Sequence, residues 1–168
     1  EAYEWMGFEA RRAILDLLDA AIADTTAQVR VVAYDLNEPQ IVARLKKIGP
    51  RLQIIIDDSA DHGATGSAEN VAAKQLAESA GAARVKRQHM SGLQHNKTII
   101  VAGTVQSVVC GSTNFSWRGL YVQSNAALVL HGAAAVKAFS DAFDRFWAAD
   151  SASFGDTRSA RWTTLGLT

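Results

Sequence analysis

The stretch LQHNKTIIVAG, residues 93–103, sets an apolar run from Thr98 to Val101 directly behind a histidine and a lysine two positions apart. Such a β-branched run reads as a strand. Side chains alternate along a strand, so His95 and Lys97 point the same way. The run QSVVCGS, residues 106–112, follows through AGTVQ. The pair is expected to fold as a hairpin about Gly103 and Thr104, bringing His95 near Ser112, with Asn114 just beyond. A third strand, SNAALVL, residues 124–130, returns antiparallel and brings Gln123, Ser124 and Asn125 to the same end. Polar groups from three strands then converge on one rim.

Upstream, FEARRAILDLLDAAIA repeats apolar residues at helical spacing, with Ile14, Leu17, Leu18 and Ile22 on one face. QVRVVAYDL reads as a strand, and Pro39 opens a helix over IVARLKKI that Gly49 and Pro50 close. RLQIIID is an almost wholly apolar strand of the kind buried on both faces. DDSADHGATGSAEN reads as a long surface loop, followed by a helix over Glu69–Ala80 and a short strand near ARVKR. AAAVKAFSDAFDRFWAA is an amphipathic helix burying Val136, Phe139, Phe143 and Phe146 or Trp147. Strands alternating with helices and then running as hairpins indicate an α/β fold, a mixed β-sheet flanked by α-helices.

The 168 residues suit one lobe over 1–150 and a polar tail over 151–168. With 17 basic and 17 acidic residues and a net charge of +0, a broad electrostatic nucleic-acid surface is not indicated. No apolar stretch has the length of a transmembrane segment, and the acidic N-terminal segment lacks the basic start of a signal peptide. Cys110 has no partner for an internal disulfide and reads as a buried thiol; one cysteine carries no information on compartment.

The chemistry of the rim is specific. A neutral imidazole is a nucleophile towards phosphorus and a charged one a proton donor. An ammonium, a hydroxyl and an amide hold the non-bridging oxygens of a phosphodiester. No cluster of carboxylates or cysteines accompanies them, so no metal or other cofactor is implied.

H-x-K in LQHNKTIIV followed by GSTNFS resembles the signature of the phospholipase D superfamily, and YDLNEPQI, RLQIIID and the last helix extend the similarity over most of the chain. The resemblance implies a phospholipase D-like lobe of a metal-independent phosphodiesterase that hydrolyses a phospholipid or nucleic-acid diester through a phosphohistidine. His95, Lys97 and Asn114 would be catalytic, and Ser112, Gln123, Asn125 and Trp117 would bind substrate. The family uses two H-x-K motifs across one pocket, one histidine attacking phosphorus and one protonating the leaving group. This chain has one, so the second is expected from a homodimer mate or the missing half of a longer chain; a start at Glu1 favours the latter.

Two family acids are absent. The aspartate expected after four further residues is Ala102, and the glutamate that orients the histidine is Asn125. The alternative is therefore a catalytically impaired phosphate-binding or assembly module. Around the motif, His62 and His131 are expected to face solvent, while His89 is a candidate for the pocket entrance. Arg84, Lys86 and Arg87 belong either to a solvated edge strand or to a grip on a phosphate-rich ligand. Phe115 is expected in the core, and Trp117 and Tyr121 are candidate walls of a substrate groove, stacking on bases or contacting acyl chains. Asp57 and Asp58 either face the pocket or sit in a solvated loop.

Overall fold

The computed structural model describes residues 8–89 and 92–149. The expected tail lies outside these. Helix α1 (Glu9–Ala23) leads to β1 (Gln28–Ala33), α2 (Pro39–Ile48), β2 (Leu52–Ile56), the short α3 (Ala60–Gly63), α4 (Ala68–Ala80) and β3 (Val85–Arg87). Then follow β4 (Thr98–Ala102), β5 (Gln106–Gly111), the single-turn α5 (Trp117–Tyr121), β6 (Ala127–His131) and α6 (Ala133–Ala148). The strands form one six-stranded sheet in the order β3-β2-β1-β4-β5-β6. β3, β2 and β1 are parallel, and β4, β5 and β6 continue antiparallel from β1. This is the mixed sheet the sequence leads one to expect.

Alternation along the strands feeds two cores. Val29, Val31, Ile54, Ile56, Ile99 and Val101 pack with α1, α2 and α4 on one face. Val32, Ile55, Ile100 and Val108 pack with Val136 and Phe143 of α6 on the other. β2 is buried on both faces except at half-buried Gln53, as its almost wholly apolar run requires. Ile14, Leu17 and Leu18 are buried on α1. On α6, Phe143 is buried while Phe139, Phe146 and Trp147 are half-buried against the same core. None of the described helices is long and apolar enough to cross a membrane.

Three local features differ from expectation. The hairpin turns through Gly103–Val105, because Ala102 pairs with Gln106 and the ladder ends at Thr98 opposite Cys110. Continuing that register sets Asn96, not His95, opposite Ser112. The extra turn residue shifts the pairing by one position. β4 also begins at Thr98, so His95 and Lys97 lie on the segment that enters the strand. Finally, the Gly- and Ser-rich loop after β2 contains the turn α3, held where Asn70 Nδ2 donates to Ala64 O at 2.6 Å.

Candidate functional site

Parallel β1 and β2 both end at one edge of the sheet, and β4 starts and β5 stops at that same edge. Segment 112–116 is fastened there to the segment leaving β1. Phe115 O accepts the N–H groups of Asn37 and Glu38, each at 3.1 Å, and Ser116 Oγ donates to Asp35 Oδ2 at 3.2 Å. Phe115 is fully buried, as expected. Backbone sterics make two glycines necessary here. Gly111 adopts φ +147°, and a Cβ on it would lie 2.2 Å from Ala126 O; a Cβ on Gly119 would lie 2.4 Å from Asn114 O.

Tyr34, the first residue after β1, is the centre of the arrangement. Its ring meets His95 edge-on with centroids 4.6 Å apart and His62 edge-on at 4.4 Å. The Lys97 ammonium stands 4.9 Å from the same centroid, a cation–π contact. His95 and Lys97 therefore do share a side, although they precede the strand. Lys97 is only 4% exposed, whereas His95 is open to solvent. Burial lowers the Lys97 pKa to about 8 against the opposing pull of Asp35 and Asp57. Burial and the Lys97 charge also push His95 below its ordinary value, again opposed by Asp35 and Asp57. At neutral pH that favours the neutral, nucleophilic imidazole beside a cationic lysine.

The carboxylates that oppose these shifts are tightly engaged. Asp57 is fully buried; its Oδ1 accepts Gln94 N–H at 2.6 Å, and its Oδ2 accepts from Ser59 N at 3.0 Å and meets His62 Nδ1 at 2.8 Å. Burial alone would raise its pKa, but the hydrogen bonds from Ser59, Gln94 and His62 outweigh it and hold the carboxyl below its usual value. His62 Nε2 faces Asp35 Oδ1 at 3.0 Å. His62 thus bridges two carboxylates with a side chain 16% exposed, where a solvent-facing histidine was expected. Asp35, His62 and Glu69 are also the one grouping of metal-ligating types among the described residues, with donor atoms within 4.8 Å of one another. Those atoms already face each other or, for Glu69 Oε1, accept Leu36 N–H at 3.1 Å.

Asn114 is 7% exposed, and its Oδ1 is buried without a partner among the described residues. Ser112 is exposed and its hydroxyl accepts Ala126 N–H at 3.0 Å, tying the segment to β6.

The chain's similarity to known proteins agrees with this architecture. Residues 18–147 match the family model described as "Cardiolipin synthase, PLD-like domain". The chain belongs to the phospholipase D-like family. Among solved structures, Nuc from Salmonella typhimurium, a phospholipase D family member, is 28% identical with a TM-score of 0.59, over 81% of this chain and 83% of that one. NucT from Helicobacter pylori shares the fold at 16% identity and TM-score 0.59, over 80% of this chain and 87% of its own. Polyphosphate kinase from Porphyromonas gingivalis shares it at 17% identity and TM-score 0.63, where 89% of this chain matches 25% of that one. No curated protein matches the chain.

Within the phospholipase D-like fold, His95, Lys97 and the segment carrying Asn114 gather at one end, as the motif order suggests. Gln123 and Asn125 stand elsewhere: they line a cavity of about 370 Å³ with Glu9, Thr113 and Leu120. The Asn125 amide is spent on Gly119 O at 2.9 Å and Gln123 Oε1 at 3.2 Å, so it braces α5. Trp117 is 58% exposed, with its ring 6.4 Å from that of Tyr121. The basic run is committed to the protein itself. Lys86 Nζ donates to Trp147 O at 2.9 Å, and Arg87 donates to Asn70 Oδ1, Asp57 O and His62 O at 2.6–2.9 Å. Lys86 and Arg87 therefore offer no grip on a ligand. Exposed Arg84 remains outside this network. His89 pairs with Asp58 at 2.7 Å and is half-exposed, and His131 faces solvent as expected. Sequence reasoning missed Tyr34, Asp35 and His62. Two of these directly follow a strand end, the position where α/β sheets place ligand-binding groups.

Proposed function

We propose that this phospholipase D-like lobe supplies half of a metal-independent phosphodiesterase site. The observation that supports the reading best is the sharing of one tyrosine ring by the His95 imidazole and the Lys97 ammonium. In one half-reaction, neutral His95 attacks phosphorus, forming an N–P bond as the alcohol leaves; water then attacks the phosphohistidine and regenerates the imidazole. Lys97 and the Asn114 amide stabilise the charge that grows on the non-bridging oxygens. Ser112 and exposed Trp117 line the approach of substrate, while Gln123 and Asn125 belong to the cavity beside Glu9. A second H-x-K set, from another copy of the chain or from the rest of a longer one, protonates the leaving group from the opposite side, as in-line displacement demands.

The rival, a lobe that binds phosphate without turnover, draws support from Asn125, whose amide is turned to Gly119 O. It draws little from Ala102. That residue lies at the far end of β4, paired with Gln28 and Gln106, so a carboxylate there would sit about 13 Å along the strand from Thr98, with His95 three residues further back. Hydrolysis of bis(p-nitrophenyl) phosphate by the complete two-lobed assembly, with chelator present, tests the proposal. Turnover that persists with EDTA and vanishes in His95→Ala is the expected result. Turnover untouched by His95→Ala removes this imidazole from the chemistry, and oligonucleotide binding without any hydrolysis favours the rival.

A further inference from the structure

The usual task of an acidic residue next to a catalytic histidine is to fix the angle of its ring. Among the described residues no hydrogen bond joins Asn125 to His95; its Nδ2 instead donates to Gly119 O in α5. The imidazole of His95 makes no side-chain hydrogen bond among the described residues; its ring contact is with Tyr34 at 4.6 Å. Tyr34 in turn lies between His95 and His62, whose centroid is 4.4 Å away on edge. His62 is fixed at both nitrogens, by Asp57 at 2.8 Å and Asp35 at 3.0 Å. Arg87 locks the same turn from outside by donating to His62 O at 2.7 Å.

From this chain of contacts we infer that His62 is a positioning residue: clamped between Asp35 and Asp57, it holds the Tyr34 ring at the angle that orients His95. The role rests on the phosphodiesterase reading for its purpose but not for its geometry. The clamp joins the ends of two neighbouring parallel strands, since Asp35 follows β1 and Asp57 follows β2. A rigid aromatic wall replaces a hydrogen-bonding carboxylate. The wall leaves both His95 nitrogens open, one for phosphorus and one for a partner brought by substrate or by the second lobe. The same ring carries Lys97, whose ammonium also donates to His95 O, so the clamp and that bond together set the spacing of imidazole and ammonium.

The geometry is read by NMR of the histidine ring protons, independent of turnover. The Tyr34 ring current displaces the His95 Hδ2 and Hε1 resonances, and Tyr34→Leu supplies their positions without it. In His62→Gln these resonances are expected to move at least half-way to the Tyr34→Leu positions. kcat of the complete assembly is expected to fall about tenfold to a hundredfold with KM within about twofold, since misorientation costs rate more than binding. His131→Gln, which removes the imidazole that meets Ser107 at 2.8 Å at the opposite end of β5, leaves both readouts unchanged. Should His62→Gln not fold, Asp35→Asn, which takes away one side of the clamp, must give the same direction of change. A folded His62→Gln or Asp35→Asn whose His95 resonances stay at the wild-type positions overturns the inference. Resonances that move in a protein whose assembly hydrolyses nothing uphold the clamp and count against the phosphodiesterase reading alone.

Discussion

The two halves of the sheet bring opposite kinds of chemistry to the same edge. The parallel half ends in Asp35, Asp57 and His62, each already paired with a neighbour. Among the described residues, the antiparallel half ends in His95, whose ring makes no hydrogen bond, and Asn114, whose Oδ1 is buried without a partner. One side is saturated and the other is held open. Saturated polar groups stabilise a fold, whereas buried or oriented groups lacking partners are a common mark of a ligand site. Support and reactivity therefore sit on different halves of the sheet, and substitutions on the two sides should fail in different ways.

The largest effect is expected on the open side. His95→Ala should lower kcat/KM by at least about 10³-fold, as loss of a nucleophile does, while the exposed position leaves the thermal midpoint unchanged. Asn114→Ala follows with a loss of about 10²-fold, the cost of one preorganised donor to a developing anion. Steady-state kinetics together with a thermal melt checks both. A melt that collapses in His95→Ala would erase the distinction between the halves.

On the saturated side the loss should appear as stability. Asp57→Ala strands Gln94 N–H, Ser59 N–H and the His62 imidazole in a fully buried position, at a cost of about 3 kcal/mol in urea unfolding. The folded-state pKa of Asp57 is lowered, so its contribution is present above the unfolded-state value of about 3.9 and is lost as pH falls through the folded value. Asp57→Asn should flatten that part of the acid limb of the stability profile. An unaltered acid limb would show that other carboxylates govern it.

Much of this arrangement was legible in the chain. β2 and β4 are almost wholly apolar runs, and α1 and α6 carry a helical repeat, so tertiary packing agrees with local pattern. His95 and Lys97 were legible because their spacing carries the chemistry. His62 was not, because both of its partners belong to the ends of other strands and nothing in DDSADHGATGSAEN marks which side chain turns inward. The basic run was open between an edge strand and a ligand grip: β3 is the edge strand, and the carbonyl oxygens of Asp57, His62 and Trp147 absorb Lys86 and Arg87. The pairing of Ser112 failed by one residue because a hairpin loop over 103–105 and one centred on Gly103 and Thr104 differ only in the register they impose.

The smallest effect concerns pH, and it reaches from one half of the sheet to the other. The lowered pKa of Lys97, about 8, is set by burial against the pull of the Asp35 and Asp57 carboxylates across the ring. Its ammonium is needed protonated and the His95 imidazole neutral, so kcat/KM should rise through the His95 ionisation, which lies below the ordinary 6.5, and fall again above pH 8. At pH 8 itself the loss is only about twofold, half the lysine being neutral. The test is the displacement of that alkaline limb. Asp35→Asn removes a carboxylate that favours the charged lysine, so the limb must move to lower pH. The support side then acts on the reactive side through its field as well as its packing. A limb that stays in place would confine Asp35 to holding His62.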